Sequence, residues 1–342
     1  SVVVSQFTKD EYAYVSEKMW KYKGFYIQKR SLREYQVSNS ANVFGYIAEV
    51  NKTIIDKNSY YQMGDLIGKA GVEMEYENIL RGKKGVKHLQ MDRFNREIGS
   101  YQEGVFDTIP INGKDITLTI DSRLQEYGEK LLTNKRGGIV ALEPSTGEIL
   151  ALISAPNYDP KLLVGRERSK NFTKLWYDTI SRPLFDRVLQ GEYPPGSPFK
   201  TLTALIGMQE EVVHKDEKLI CQGSYNYGGK KKLGCHLHKT PLNMSEGLAN
   251  SCNTYFCKIY KRTLEKFSTP QEGIDNWKRH LMSFGLGNYI GYDLPPGKKG
   301  LIPSSEFYNK WYQFPKYKWY ASATISNAIG QGEVILTPMQ MV

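Results

Sequence analysis

The feature that most constrains this chain is the run Tyr193-Pro-Pro-Gly-Ser-Pro-Phe-Lys200, three prolines and a glycine in eight residues at the entrance to a helical pattern. Proline fixes φ and removes an amide donor, so the approach can join neither a helix interior nor a sheet ladder. Apolar positions then recur at helical spacing over 198–209 (Leu202, Leu205, Ile206). Ser197 falls at the helix start and Lys200 three residues on, where i and i+3 share a face. A serine hydroxyl is a weak nucleophile that needs an adjacent base. A lysine can be that base once burial or cationic neighbours lower its pKa. Free N–H groups at a helix start suit a developing oxyanion. A helix-capping serine beside a solvated lysine has the same spacing, so a second element has to carry weight. It lies about fifty residues downstream, in Ala249-Asn-Ser-Cys-Asn-Thr-Tyr-Phe256. This S-x-N, between two helical runs, offers a hydroxyl (Ser251) to relay a proton and an amide (Asn253) to hold a peptide backbone.

Composition is that of a globular body: 40% hydrophobic, 12% aromatic and 24% charged over 342 residues. No run approaches the ~18 apolar residues of a membrane span, and no signal-peptide pattern opens the chain. A start at Ser1 without Met and an end at Val342 in mid-pattern read as a piece of a longer protein. Lys plus Arg number 46 against 36 Asp plus Glu, leaving +10. Such a balance permits nucleic acid, acidic lipid head groups or an anionic polymer as partner. The basic residues are scattered, and the densest cluster, Lys230, Lys231 and Lys232, falls in a Gly-rich loop. A nucleic-acid-binding protein should show a basic stripe with interleaved aromatics or a recognition-helix pattern, and neither is evident.

Residues 1–112 read as mixed α/β. A Thr8-Lys-Asp-Glu11 capping box precedes helical spacing over 8–19. Apolar runs follow at 24–27 and 43–50, then a helix over 74–80 that Gly82 closes. The polar, turn-rich stretch 99–113 carries the domain boundary. Beyond it, 115–120 alternates as a strand, and Asp121 or Ser122 caps a helix over 123–132. Runs 138–142 and 148–154, joined by Glu143-Pro-Ser-Thr-Gly147, form a β-hairpin. Helices are also expected over 244–248 and 255–264. A hairpin with separate helical runs is α+β logic, without internal repeats or low-complexity tracts.

S-x-x-K, then S-x-N or S-D-N, then K-T-G or K-S-G is the acyl-transfer set of penicillin-binding proteins and serine β-lactamases, and this chain resembles them well beyond its first motif. Gly68-Lys-Ala-Gly-Val-Glu-Met-Glu-Tyr-Glu-Asn-Ile-Leu-Arg-Gly82 is similar to the pedestal signature of class B penicillin-binding proteins. Gly113-Lys-Asp-Ile-Thr-Leu-Thr-Ile-Asp121, Ala141-Leu-Glu-Pro-Ser-Thr-Gly-Glu-Ile-Leu-Ala151 and Gly330-Gln-Gly-Glu333 with Thr337-Pro338 resemble transpeptidase landmarks in the right order. The resemblance falls in the elongation-specific, cell-shape branch. It implies a pedestal of the dimerisation type over 1–112, incomplete at its N-terminus. It also implies a penicillin-recognising transpeptidase domain, an antiparallel sheet flanked by helices, over 113–342 and incomplete at its C-terminus.

The same resemblance implies a D,D-transpeptidase of peptidoglycan biosynthesis. Ser197 would attack the D-Ala–D-Ala bond of a stem peptide, and the acyl-enzyme would pass to a neighbouring stem's amine. Lys200 would be the general base, Ser251 the proton relay and Asn253 a contact to substrate backbone; β-lactams would acylate Ser197. Hydrolysis, as a carboxypeptidase or β-lactamase, is a variant of that chemistry. The rival from another class is an inactive penicillin-recognising scaffold or sensor. The implied setting is the bacterial inner membrane, with a single-pass anchor, a catalytic domain in the periplasm and a SEDS-family membrane glycan polymerase as partner. One departure stands out: no Lys-Thr or Lys-Ser pair (Lys52-Thr53, Lys200-Thr201, Lys239-Thr240) is followed by Gly. The third motif should follow the Gly-Gln-Gly segment, past the end of this chain. No catalytic cofactor is expected.

All four cysteines lie within 37 residues (Cys221, Cys235, Cys252, Cys257). Cys221, Cys235 and Cys252 with a histidine of Cys235-His-Leu-His238 make a Cys₃His set suited to structural zinc. The resemblance favours zinc, because relatives place metal-ligand types at similar positions; His238 is preferred to His236 on a loose alignment only. Zinc there would pin the S-x-N loop. The alternatives are a disulfide in an oxidising compartment, Cys221–Cys235 first, or cysteines buried as small hydrophobes. Cys257 is left as a free core thiol.

Overall fold

The computed structural model describes residues 7–25, 32–94, 96–229, 231–289, 293–294 and 297–342, the side chain of Lys231 excepted. The chain forms two compact units, 1–185 and 186–342.

In the first unit, α1 (Lys9–Ser16) has the expected capping box: Thr8 Oγ1 accepts the Glu11 N–H, and the Glu11 carboxylate accepts the Thr8 N–H. The apolar run at 24–27 falls partly outside the described residues. The run at 43–50 splits into α2 (Ala41–Phe44) and β1 (Ile47–Glu49), because Gly45 turns the chain at φ 76° between them. After α3 (Lys52–Lys57), β2 (Leu66–Gly68) pairs antiparallel with β1. The helix expected over 74–80 is two short ones, α4 (Gly71–Glu75) and α5 (Glu77–Leu80), with Gly82 left-handed beyond the second. Arg33 grips the buried Glu73 with two hydrogen bonds of 2.6 and 2.7 Å, a bidentate pair that satisfies both carboxylate oxygens out of contact with water. β3 (Leu89–Met91) and β4 (Glu97–Ser100) form a second antiparallel pair.

Asp121 then caps α6 (Ser122–Leu131), and β5 (Gly137–Leu142) pairs with β6 (Ile149–Ala155) in the expected hairpin. α7 (Arg168–Tyr177) follows. The strand expected over 115–120 does not form. The segment and the residue after it meet β6 through Thr119 Oγ1 to the Ile149 carbonyl and the Asp121 N–H to the Leu150 carbonyl. Further along that edge, the Gln125 amide donates to the Leu152 carbonyl at 2.9 Å and accepts the Leu152 N–H at 2.8 Å. One buried side chain thus stands in for a missing strand. Whereas turn composition marks a boundary near 112, the compact units divide at 185. The cause is packing: the Ser40 N–H bonds Glu129 on α6, and Ala41 shares a small core with Tyr158 and Leu163.

In the second unit, a 3-10 turn, Ser197–Phe199, runs into α8 (Lys200–Gln209). β7 (Ser224–Gly228) and β8 (Lys231–Gly234) form a hairpin, so Lys231 and Lys232 lie in a strand rather than a loop; Lys230 is outside the described residues. α9 (Met244–Ala249), α10 (Asn253–Glu265), α11 (Pro270–Ser283) and α12 (Ser305–Tyr312) follow, then a 3-10 helix, Ala321–Ile329, and α13 (Pro338–Met341). α10 is the core element: Tyr255, Phe256, Cys257, Ile259, Tyr260 and Leu264 are all buried against α8, α11 and the 3-10 helix. α8 comes close at Gly207, where a Cβ would sit 2.3 Å from Ile259 Cγ2. Every ladder among the described residues is two-stranded and antiparallel, which is α+β organisation.

The Gln125 contact is testable. Gln125→Leu leaves the N–H and C=O of Leu152 buried without partners and should cost about 2–4 kcal/mol in denaturant unfolding. A loss below ~0.5 kcal/mol would mean that solvent reaches that edge.

Candidate active site

The structure brings Ser197, Lys200, Ser251 and Asn253 together, and each position has a local cause. Gly196 enters at φ 68°, and its N–H donates to the Gly330 carbonyl at 2.8 Å. This places Ser197, exposed, at the first residue of the 3-10 turn. One turn later Lys200 begins α8 with only 1% of its surface exposed. Gly330 is itself left-handed at φ 66°, and a Cβ there would lie 2.5 Å from the Gly196 carbonyl oxygen. Two backbones touch at this point, which only glycine permits.

The S-x-N element is a helix-to-helix joint. Asn250 ends α9, and Ser251 takes the left-handed conformation at φ 49°, a strained position for a side-chain-bearing residue. Cys252 then caps α10, its sulfur accepting the Tyr255 N–H at 3.3 Å. Asn253 is the first residue of α10, and its Nδ2 donates to the Gly234 carbonyl at 2.8 Å.

Lys200 Nζ lies 3.2 Å from Ser197 Oγ, 2.8 Å from Ser251 Oγ, 2.7 Å from the Ser251 carbonyl and 2.6 Å from Asn253 Oδ1. The two serine oxygens are 3.0 Å apart. Among the described residues no carboxylate reaches this amine. Burial lowers the Lys200 pKa, an effect that the neighbouring cysteines partly oppose. A neutral amine fits the geometry: its two N–H groups match the Ser251 carbonyl and Asn253 Oδ1, leaving a lone pair for a serine O–H. The donors at the helix start are fewer than expected, because Pro198 has no N–H and Phe199 N–H donates to the Gly196 carbonyl. Ser197's own N–H remains. Gly330, Gly234 and the buried Asn327–Tyr308–Glu333 chain of hydrogen bonds (2.8 and 2.7 Å) support the site without belonging to either motif. Gly330-Gln-Gly332 was the readable signal for the first; backbone carbonyls leave none.

Beside this centre, Cys221, Cys235, His238 and Cys252 converge, their ligand atoms all within 4.8 Å of one another. His236 is not in the set. The Cys235 sulfur lies 3.7 Å from that of Cys252 and 3.5 Å from His238 Nε2. His238 Nδ1 sits 2.7 Å from the Lys239 carbonyl, so the proton belongs on Nδ1 and the Nε2 lone pair faces the sulfurs. All four cysteines are free thiols, and the expected alternative, a Cys221–Cys235 disulfide, is not formed. Burial pushes the Cys257 thiol up to about 12, as for an inert core cysteine. The cluster shares Cys252 with the S-x-N joint, and the Cys235 sulfur accepts the Asn253 N–H at 3.2 Å.

Comparison with known proteins accords with this geometry. Residues 137–342 match the penicillin-binding protein transpeptidase domain, and residues 1–118 match the penicillin-binding protein dimerisation domain. The chain belongs to the class B penicillin-binding proteins. Its relatives there include proteins of the penicillin-binding protein 2 kind. The peptidoglycan D,D-transpeptidase MrdA of Acinetobacter baumannii is 34% identical over 98% of this chain and 48% of its own length. The PBP2 in a PBP2–MreC complex from Helicobacter pylori superposes with a TM-score of 0.84 at 26% identity, over 99% of this chain and 61% of the other. A chain of a peptidoglycan synthase complex that coordinates polymerization and crosslinking superposes at 0.73 and 28% identity, over 98% of this chain and 58% of the other. The chain spans about half the length of the curated relatives it matches.

Proposed function

We propose that this chain carries the catalytic serine of a peptidoglycan D,D-transpeptidase that cross-links stem peptides during cell elongation. The observation that carries the reading is the buried Lys200 amine within 3.2 Å of one serine oxygen and 2.8 Å of another. In the reaction, Ser197 Oγ gives its proton to Lys200 Nζ and attacks the D-Ala–D-Ala carbonyl. The Ser197 N–H faces the oxyanion. Ser251 Oγ, in contact with both Ser197 Oγ and Lys200 Nζ, relays the proton to the departing D-Ala nitrogen as the acyl-enzyme forms. A neighbouring stem's amine then takes the acyl group and regenerates Ser197; water in its place gives a carboxypeptidase side reaction. Asn253 holds the loop and contacts substrate backbone. A β-lactam in place of the stem would leave Ser197 acylated. Ser197→Ala should therefore abolish the covalent penicillin adduct in intact-mass spectra while leaving the unfolding midpoint within ~1 kcal/mol of the parent. An adduct of normal stoichiometry would remove Ser197 from the role.

Cys221, Cys235, His238 and Cys252 are proposed to hold a structural zinc ion, which would fix the S-x-N joint and takes no part in the acyl transfer. With Zn–S near 2.3 Å and Zn–N near 2.0 Å, tetrahedral ligands stand about 3.8 Å (S–S) and about 3.5 Å (S–N) apart; the 3.7 and 3.5 Å separations support this. Protein purified without a His tag should contain about one zinc per chain, and chelation should expose three further thiols. Zinc well below one equivalent, with two thiols unreactive until reduction, would put a disulfide there.

Residues 1–112 are proposed as the pedestal of a periplasmic enzyme anchored in the inner membrane, docking a SEDS-family glycan polymerase. The dimerisation-domain match and the likeness to a synthase complex that couples polymerization and crosslinking support this. Deleting these residues from the full-length protein should abolish polymerase co-purification from membranes; unchanged association would reduce the pedestal to a spacer.

A further inference from the structure

Residues 307–320 read Phe-Tyr-Asn-Lys-Trp-Tyr-Gln-Phe-Pro-Lys-Tyr-Lys-Trp-Tyr: eight aromatic rings and three lysines, with no acidic and no aliphatic side chain. The expectation that the chain lacks a basic stretch with interleaved aromatics fails here. The pattern is hard to see in sequence because the rings divide between two jobs. Tyr308 and Trp319 are buried and pack on each other at 5.2 Å between centroids. Trp319 Nε1 donates to Asn309 Oδ1 at 2.8 Å, and Tyr308 OH donates to Glu333 at 2.7 Å. The other job is outward. Trp311 (72% exposed), Tyr320 (62%), Tyr317 (55%) and Phe314 (41%) face solvent, as do Lys310, Lys316 and Lys318. Trp311 is stacked on Phe307 with ring planes 13° apart.

We propose that this surface is a second binding site that holds the anionic glycan strand whose stem peptides react at Ser197; it rests on the transpeptidase reading above. Flat, amphipathic rings present apolar faces to the C–H faces of sugar rings at little entropic cost, and interleaved lysines match the carboxylates of the stem peptides that the strand bears. An exposed apolar patch edged by charge marks a ligand surface. Position favours the strand too. The nine-residue 3-10 helix Ala321–Ile329 leads from Tyr320 to Gly330, which bonds the residue before Ser197. At about 2 Å per residue that helix spans at most about 18 Å, so a strand held here keeps its stems beside the nucleophile.

The test uses the 342-residue chain and the double variant Trp311→Ala/Tyr317→Ala, whose rings are exposed and touch no catalytic group. Binding to purified uncrosslinked glycan strands bearing stem peptides should weaken about tenfold, and penicillin acylation of Ser197 should stay at the parent rate. Lys316→Glu/Lys318→Glu, which leaves the rings in place, should weaken the same binding and flatten its loss with salt. Unchanged glycan binding in both variants overturns the proposal. So does a loss seen only for phosphatidylglycerol vesicles, or only for a single-stranded oligonucleotide. A parent protein that binds strands but forms no penicillin adduct would instead sink the transpeptidase reading, so the two failures are distinct.

Discussion

The second unit is organised around one buried amine. Lys200 begins α8, yet three of its four polar contacts belong to the joint between α9 and α10. A lysine in that position costs free energy unless its N–H groups find acceptors, and the acceptors here are the Ser251 carbonyl and the Asn253 side chain. Holding them requires the strained Ser251 backbone, which the ends of two helices over-determine. Ser197, Ser251 and Asn253 are therefore ordered by the same atoms that solve a burial problem. Stability and chemistry are coupled at this point: removing the amine would leave two carbonyl oxygens facing each other without a donor.

The parts of this arrangement that lie close together in sequence were legible in it. Ser197 and Lys200 are one turn apart, and the Pro-Pro-Gly approach has no other reading as strong. The β5–β6 hairpin announced itself through its Pro and Gly, and α10 through its apolar spacing. Other parts depend on contacts that no local pattern carries. Residues 115–120 alternate as a strand should, but Gln125 occupies the sheet edge that would have completed their ladder. α11 had its start signal in Thr269-Pro270, and Thr269 does accept the Glu272 N–H; the signal is visible only once one looks past the end of α10. The aromatic segment that begins in α12 hid its pattern because buried rings (Tyr308, Trp319) are interleaved with exposed ones.

The cysteines show a further kind of legibility. Their clustering in sequence pointed to a local constellation, but the choice among metal, disulfide and core packing lies in the spacing of the sulfurs, about 2 Å in a disulfide and about 3.8 Å around zinc. Three of them converge with His238, and Cys257, buried on α10, stays out. Cys252 serves two structures at once, as the N-cap of α10 and as a member of the cluster. Its sulfur accepts the Tyr255 N–H at 3.3 Å and lies 3.7 Å from the Cys235 sulfur, so the start of the helix and the cluster are tied through one atom.

The contact between Gly196 and Gly330 has a consequence for how such a site can change over generations. Along that stretch the floor beneath Ser197 is main chain against main chain, with no room for a methyl group on Gly330. A codon change alters side chains, and here there is none to alter. Selection acting on what reaches Ser197 therefore finds this floor closed. Variants that alter the site must arise around the rim, at exposed positions such as Tyr193, or at a distance through the packing behind the helix.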